Sequence, residues 1–116
     1  MRRVSADPGT PDLERGLGTE DDPAFAGMHE ASARLAGGSL LAAAAILDGS
    51  AVRAVNFGGG MHHAARERAS GFCIYNDCGV VLELLRSRHG LKRVAYVDID
   101  AHHGDGVFYA FEDDPA

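Results

Sequence analysis

Lysine is almost missing from the chain. Lys92 is the only one in 116 residues, and no basic run is longer than two, as in Arg2-Arg3. With a formal net charge of -6 at pH 7, the sequence carries no electrostatic footprint for nucleic acid or an anionic membrane surface. Long apolar runs are also missing: the longest, Leu35 to Leu47, covers about 13 residues against the roughly 20 that a bilayer crossing needs, and Gly37, Gly38 and Ser39 interrupt it. It reads as a buried helix, and no membrane association is expected. No basic, then apolar, then small-residue leader opens the chain. Cysteine is scarce, and Cys73 and Cys78 form a C-x4-C pair without the C-x2-C spacing usual for zinc. Two free thiols in a reducing cytoplasm are the expectation. What is present, 46% hydrophobic and 24% charged residues, suits one ordinary globular core.

Met1 to about Ala26 holds three of the four prolines and no apolar periodicity, so it is expected to be loop. Gly27 to Leu47 reads as a helix, apolar nearly all round beyond Gly37, stopped by Asp48-Gly49-Ser50 and fit for the inside of a larger body. Glycine costs a helix interior about 1 kcal/mol relative to alanine, so Gly37-Gly38 should be offset by the close approach of another backbone. Ala51 to Phe57 is expected to be a buried strand running into Gly58-Gly59-Gly60 and a loop to about Ile74. Asn76 is placed to cap a helix whose Val80, Val81, Leu84 and Leu85 recur at helical spacing, to about His89 with Gly90 as the stop. Arg93 to Asp98 reads as a second buried strand. Strand, helix and strand predict a βαβ unit with parallel strands, hence an α/β fold.

Ligands of open α/β sheets bind beyond the carboxyl ends of the strands, where this sequence gathers four of its six histidines. His62-His63 follows the first strand. Asp98-Ile99-Asp100-Ala101-His102-His103-Gly104-Asp105-Gly106 follows the second. Residues two apart in extended chain project to one side, so the Asp100 carboxylate and His102 imidazole converge. Mixed N and O ligands with an open position suit a catalytic divalent metal. Asp98 projects the same way from deeper in the strand and suits a partner that orients an imidazole. A lone D-x-H is more often a turn or cap than a metal site. The whole D-x-D-x-H-H-G-D-G run beside a His pair carries a heavy desolvation cost unless a metal or mutual pairing offsets it. His29 and His89 are read as structural. Gly58–Gly60 lacks the rest of a phosphate-binding fingerprint.

Three ordered motifs then stand out: Gly59-Gly60-Met61-His62-His63-Ala64; Glu67-Arg68-Ala69-Ser70-Gly71-Phe72-Cys73 with Asn76-Asp77; and Tyr96-Val97-Asp98-Ile99-Asp100 running on to Val107. With Gly16-Leu17-Gly18-Thr19-Glu20-Asp21-Asp22-Pro23 upstream, the chain resembles the zinc-dependent histone deacetylase superfamily, in its class I-like and bacterial acetoin-utilisation-type branch. The resemblance runs from about Leu13 to Phe111, with 1–12 left as an irregular segment and 13–116 as part of the domain. It implies an arginase-like, three-layer α/β fold with a parallel sheet, and hydrolysis of N-acetyl-lysine or a related acetylated amine by a metal-bound water. Carried over residue by residue, Asp100 and His102 would bind zinc, or iron(II) as the alternative. His63 would be general base and then acid, and His62 mainly electrostatic, with Asp98 bonded to His62 and Asp105 to His63. Gly71 and Phe72 would wall the acyl-lysine tunnel, Asp21 would grip the substrate backbone at its rim, and a potassium ion would sit near Asp98, Asp100 and His102. Ala101 stands where a larger aliphatic is common, and Met61 where Leu or Trp occurs, departures that bear on packing and the channel. The family's further Asp ligand and oxyanion-stabilising Tyr lie downstream of Ala116, and its first strand lies upstream. The chain is therefore expected to be an internal piece of a longer domain, inactive alone. A non-catalytic metal-binding or interaction fragment and an acetylpolyamine or other small-amide hydrolase are the other readings.

Overall fold

A computed structural model describes residues 1–113. Helix α1, Arg2–Ala6, stands where loop was expected. Its five residues are too few to show a period, and it is held by contact rather than propensity. Val4 is buried with Leu17, Met28 and Ala69 in the main apolar cluster, against which Met1, Ala24 and Ile74 pack. The remaining N-terminal chain is irregular apart from a 3-10 turn at Leu13–Arg15 capped by the Asp12 side chain.

Helix α2, Met28–Leu47, begins well ahead of Leu35. Its 20 residues are long and apolar enough to cross a bilayer by length and composition alone, which corrects the argument from the apolar run. Its polar contacts tie it to its neighbours: Ser5 donates to Glu30 at 3.0 Å and Ser39 donates to Asp77 at 2.5 Å. The helix packs chiefly against α3, Asp77–Ser87. The expectation of a buried helix holds only at Met28, which sits in the cluster with Val4 and Leu17; farther along, Leu41 stays 73% exposed. The approach expected at Gly37-Gly38 is also corrected. A Cβ on Gly38 would meet the Asn56 side chain at 3.0 Å, whereas one on Gly37 would meet nothing within 4 Å.

Helix α3 starts where the cap was expected, with Asn76 Oδ1 accepting from the Gly79 N–H at 2.8 Å. A short helix α4, Asp105–Phe111, follows the aspartate-histidine run and was not expected. Neither expected strand forms. Among the described residues there are only two isolated bridges, Asp12 with Leu17 and Ser70 with Cys73, so no parallel sheet is present. A helix closes its hydrogen bonds within one segment, whereas a strand needs a neighbour to bond to. Segments 51–57 and 93–98 find none, and Val55, Phe57 and Val97 remain exposed.

Candidate active site

The chain from Tyr96 onward keeps its side chains on alternating sides even without a ladder. Val97 and Ile99 are 78% and 94% exposed, while the Asp98 side chain between them turns inward. The turn that follows is built by carboxylates accepting backbone N–H groups two residues on, a habit of aspartate. Asp98 Oδ1 accepts from Asp100 N–H at 3.0 Å, and Asp100 Oδ1 accepts from His102 N–H at 2.8 Å. One aspartate thereby sets the direction of the next.

Against this turn lies the loop that follows Gly58–Gly60. His62 is buried, and its Nδ1 is 2.7 Å from Asp98 Oδ2. His63 Nδ1 is 2.7 Å from Asp105 Oδ1, at the start of α4. The two rings lie 4.3 Å apart centre to centre, and the His63 ring is 6.0 Å from that of His102. Two glycines make the approach sterically feasible. A Cβ on Gly104 would fall 2.5 Å from Asp98 Oδ2 and 3.1 Å from His62 Nδ1, and one on Gly71 would fall 2.6 Å from the His63 ring. Phe72, beside Gly71, has the left-handed backbone angle φ 65°, a strained conformation for a bulky residue. Phe72 is 74% exposed.

The electrostatics follow from these contacts. The His62 and Tyr96 hydrogen bonds hold the Asp98 carboxyl far below the usual carboxylate range, with help from the Asp100 N–H. Asp100 is lowered by the backbone and ring N–H of His102. Burial pushes Asp105 up, but the hydrogen bond and charge of His63 and the Gly106 and Asp105 N–H groups outweigh it, and the net direction is down. All three aspartates are thus ionised at neutral pH, and each carries a histidine.

Asp100 Oδ1 and His102 Nδ1 are 2.9 Å apart, and both side chains are open to solvent. Two ligands of a tetrahedral ion with bonds of about 2.0 Å stand roughly 3.3 Å apart, so a small opening of this pair admits a divalent ion. Among the described residues no third His, Cys, Asp or Glu joins them in one group. Asp21 is exposed on the turn before Asp22. Asp22 is buried and faces the Phe72 backbone, and its Oδ1 has no hydrogen-bond partner. Two residues of the neighbourhood stand in the motifs quoted above but were given no role there. The Tyr96 hydroxyl donates to Asp98 Oδ2 at 2.7 Å, and the Asp77 carboxylate lies buried under the Gly60-Met61 backbone. The i, i+2 spacing of Tyr96 and Asp98 in extended chain was a signal for the first; for the second, the motif marked the residue but nothing local marked its backbone partners.

The model of the histone deacetylase domain matches residues 2–116. The chain is 56% identical over 100 residues to the acetoin utilization protein AcuC of Bacillus subtilis (strain 168), covering 86% of this chain and 26% of that protein. It is 43% identical over 99 residues to AcuC of Staphylococcus aureus (strain MRSA252), covering 85% and 25%, and 44% identical over 96 residues to AcuC of Staphylococcus xylosus, covering 83% and 25%. The chain spans about a quarter of the length of these relatives. With the family model matched from residue 2 to residue 116, the chain belongs to the histone deacetylase domain family, whose fold is arginase-like.

Proposed function

We propose that the chain supplies the histidine-aspartate half of a metal-dependent amidohydrolase site that removes acetyl groups from N-acetyl-lysine or a related acetylated amine. The observation that carries the proposal is the convergence of two His–Asp pairs, His62–Asp98 and His63–Asp105, each at 2.7 Å, beside Asp100 and His102. Asp100 and His102 would hold the divalent ion, zinc or iron(II), with further ligands and the parallel sheet supplied by chain outside the described residues. Such an ion polarises an amide carbonyl and lowers the pKa of water. A potassium ion near Asp98, Asp100 and His102 belongs to the same reading.

The residues of the chain divide the remaining work. With Nδ1 of each imidazole tied to an ionised carboxylate, Nε2 is the atom left to face substrate. The His63 side chain is 22% exposed against 7% for His62, so His63 is the better placed to take a proton from water and return it to the leaving amine. His62, deeper and bound to an aspartate that also accepts from Tyr96, keeps a fixed charge environment beneath the reacting carbonyl. Phe72 and Gly71 beside His63 would line the path of the acyl chain, with Asp21 at its rim. The free thiols of Cys73, buried, and Cys78, half-buried, accord with a cytoplasmic enzyme, and the relatives' name suggests a part in acetoin utilization.

Metal analysis of the full-length protein tests the ligand assignment. Asp100→Ala and His102→Ala should each lose stoichiometric zinc or iron while His63→Ala keeps it. Undiminished metal in both ligand variants would overturn the proposal.

A further inference from the structure

The two imidazoles can meet their carboxylates only if the loop that carries them is held still, and glycine-rich chain does not hold itself. The start of α3 lies against that loop on both sides of the histidine pair. Ahead of it, the buried Asp77 carboxylate accepts from Gly60 N–H at 3.0 Å and Met61 N–H at 2.8 Å through Oδ1, and from the Ser39 hydroxyl at 2.5 Å through Oδ2. Behind it, the Asn76 amide donates to the Ala64 carbonyl at 2.9 Å and the His62 carbonyl at 3.3 Å, while its oxygen caps α3. The clamp is anchored in turn: Asn56 donates to Ser39 Oγ at 2.8 Å and to the Leu35 carbonyl at 2.9 Å, which ties it to α2. Gly59 leaves the room, since a Cβ there would lie 2.5 Å from Asp77 Oδ2.

We propose that Asn76 and Asp77 are positioning residues for the His62–His63 pair, gripping its backbone by amides before it and carbonyls within and after it. They act on the reaction only through that backbone. The inference rests on the amidohydrolase reading above for its consequence in rate, but not for the clamp itself.

The geometry separates hydrogen bonding from charge at position 77 and from helix capping at position 76. In Asp77→Asn one oxygen can still accept from both Gly60 and Met61, and the new amide can donate to Ser39, so this variant should work nearly as the parent does. Asp77→Ala should lose the grip. A misplacement of about 1 Å costs of order 10²-fold, so kcat for an N-acetyl-lysine peptide should fall by about that factor with KM within about twofold. Asn76→Asp keeps a cap of equal quality but has no donor for the two carbonyls, and its kcat should fall as well. In the full-length protein these rates are to be measured beside amide hydrogen exchange at Gly60 and Met61, which should quicken in Asp77→Ala and not in Asp77→Asn. Equal damage from Asp77→Asn and Asp77→Ala would replace the clamp by a charge effect, and unchanged kcat in Asn76→Asp would overturn it even if Asp77→Ala fails to fold. If the parent protein shows no turnover, the functional reading fails. The exchange rates still decide the clamp: unchanged exchange in Asp77→Ala refutes it.

Discussion

Gly104→Ala places one methyl group against both members of the His62–Asp98 pair. The backbone there, φ -76° and ψ 60°, is that of an inverse γ-turn, which alanine can adopt, so the perturbation is steric rather than conformational. The new Cβ would lie 2.5 Å from Asp98 Oδ2, and ordinary contact begins at 3.4 Å, so the oxygen must retreat by about 0.9 Å. That oxygen is not free to swing aside, because His62 and Tyr96 both hold it at 2.7 Å. A retreat along the His62 axis stretches that bond to about 3.6 Å, past the limit of a hydrogen bond. An imidazole released by this much should cost kcat of order 10²-fold in the full-length protein, with its metal retained. Gly37→Ala is the control: it fills open space in α2 and should leave kcat alone while stabilising the fold by up to about 1 kcal/mol. Steady-state deacetylation of an acetyl-lysine peptide by both variants is the assay. A Gly104→Ala enzyme within about threefold of the parent would refute the claim that the His62–Asp98 contact is needed.

Three further substitutions test the site and its surroundings. His63→Ala should lower deacetylation by about 10² to 10⁴-fold with metal content kept, and His62→Ala should do less harm; the reverse order of severity would exchange their roles. Asp22→Asn should raise the melting temperature near pH 7, because burial and then the neighbouring Asp21 push the Asp22 carboxyl up and its Oδ1 has no partner. A raised folded pKa means that ionisation opposes folding at neutral pH and that the penalty fades as pH falls through the folded value. The advantage of the variant should therefore shrink towards pH 4, and an advantage that grew on acidification would contradict this account.

What could be read from the sequence was what depends on near neighbours in the chain. Asn76 with Val80, Val81, Leu84 and Leu85 fixed the start and type of α3, because capping and helical periodicity are local. The Asp100–His102 pair was legible for the same reason, two residues apart in extended chain. Segments 51–57 and 93–98 carried a strand-like composition, yet a strand exists only in its ladder, and composition cannot supply the partner. Helix α1 was invisible because Val4 is held by Met28 and Leu17, residues distant in sequence. The Asp77 grip on Gly60 and Met61 was hidden for a similar reason: its partners are backbone amides a whole loop away, and backbone groups have no sequence signature.

The most direct measurement is acetate released from an N-acetyl-lysine peptide by the full-length protein, first stripped of metal with a chelator and then given back zinc or iron(II). The account predicts no turnover in the stripped protein and restored turnover on metal addition, with Asp100→Ala and His102→Ala unresponsive to added metal. Turnover that persists without metal, or that metal restores equally in both variants, would contradict it.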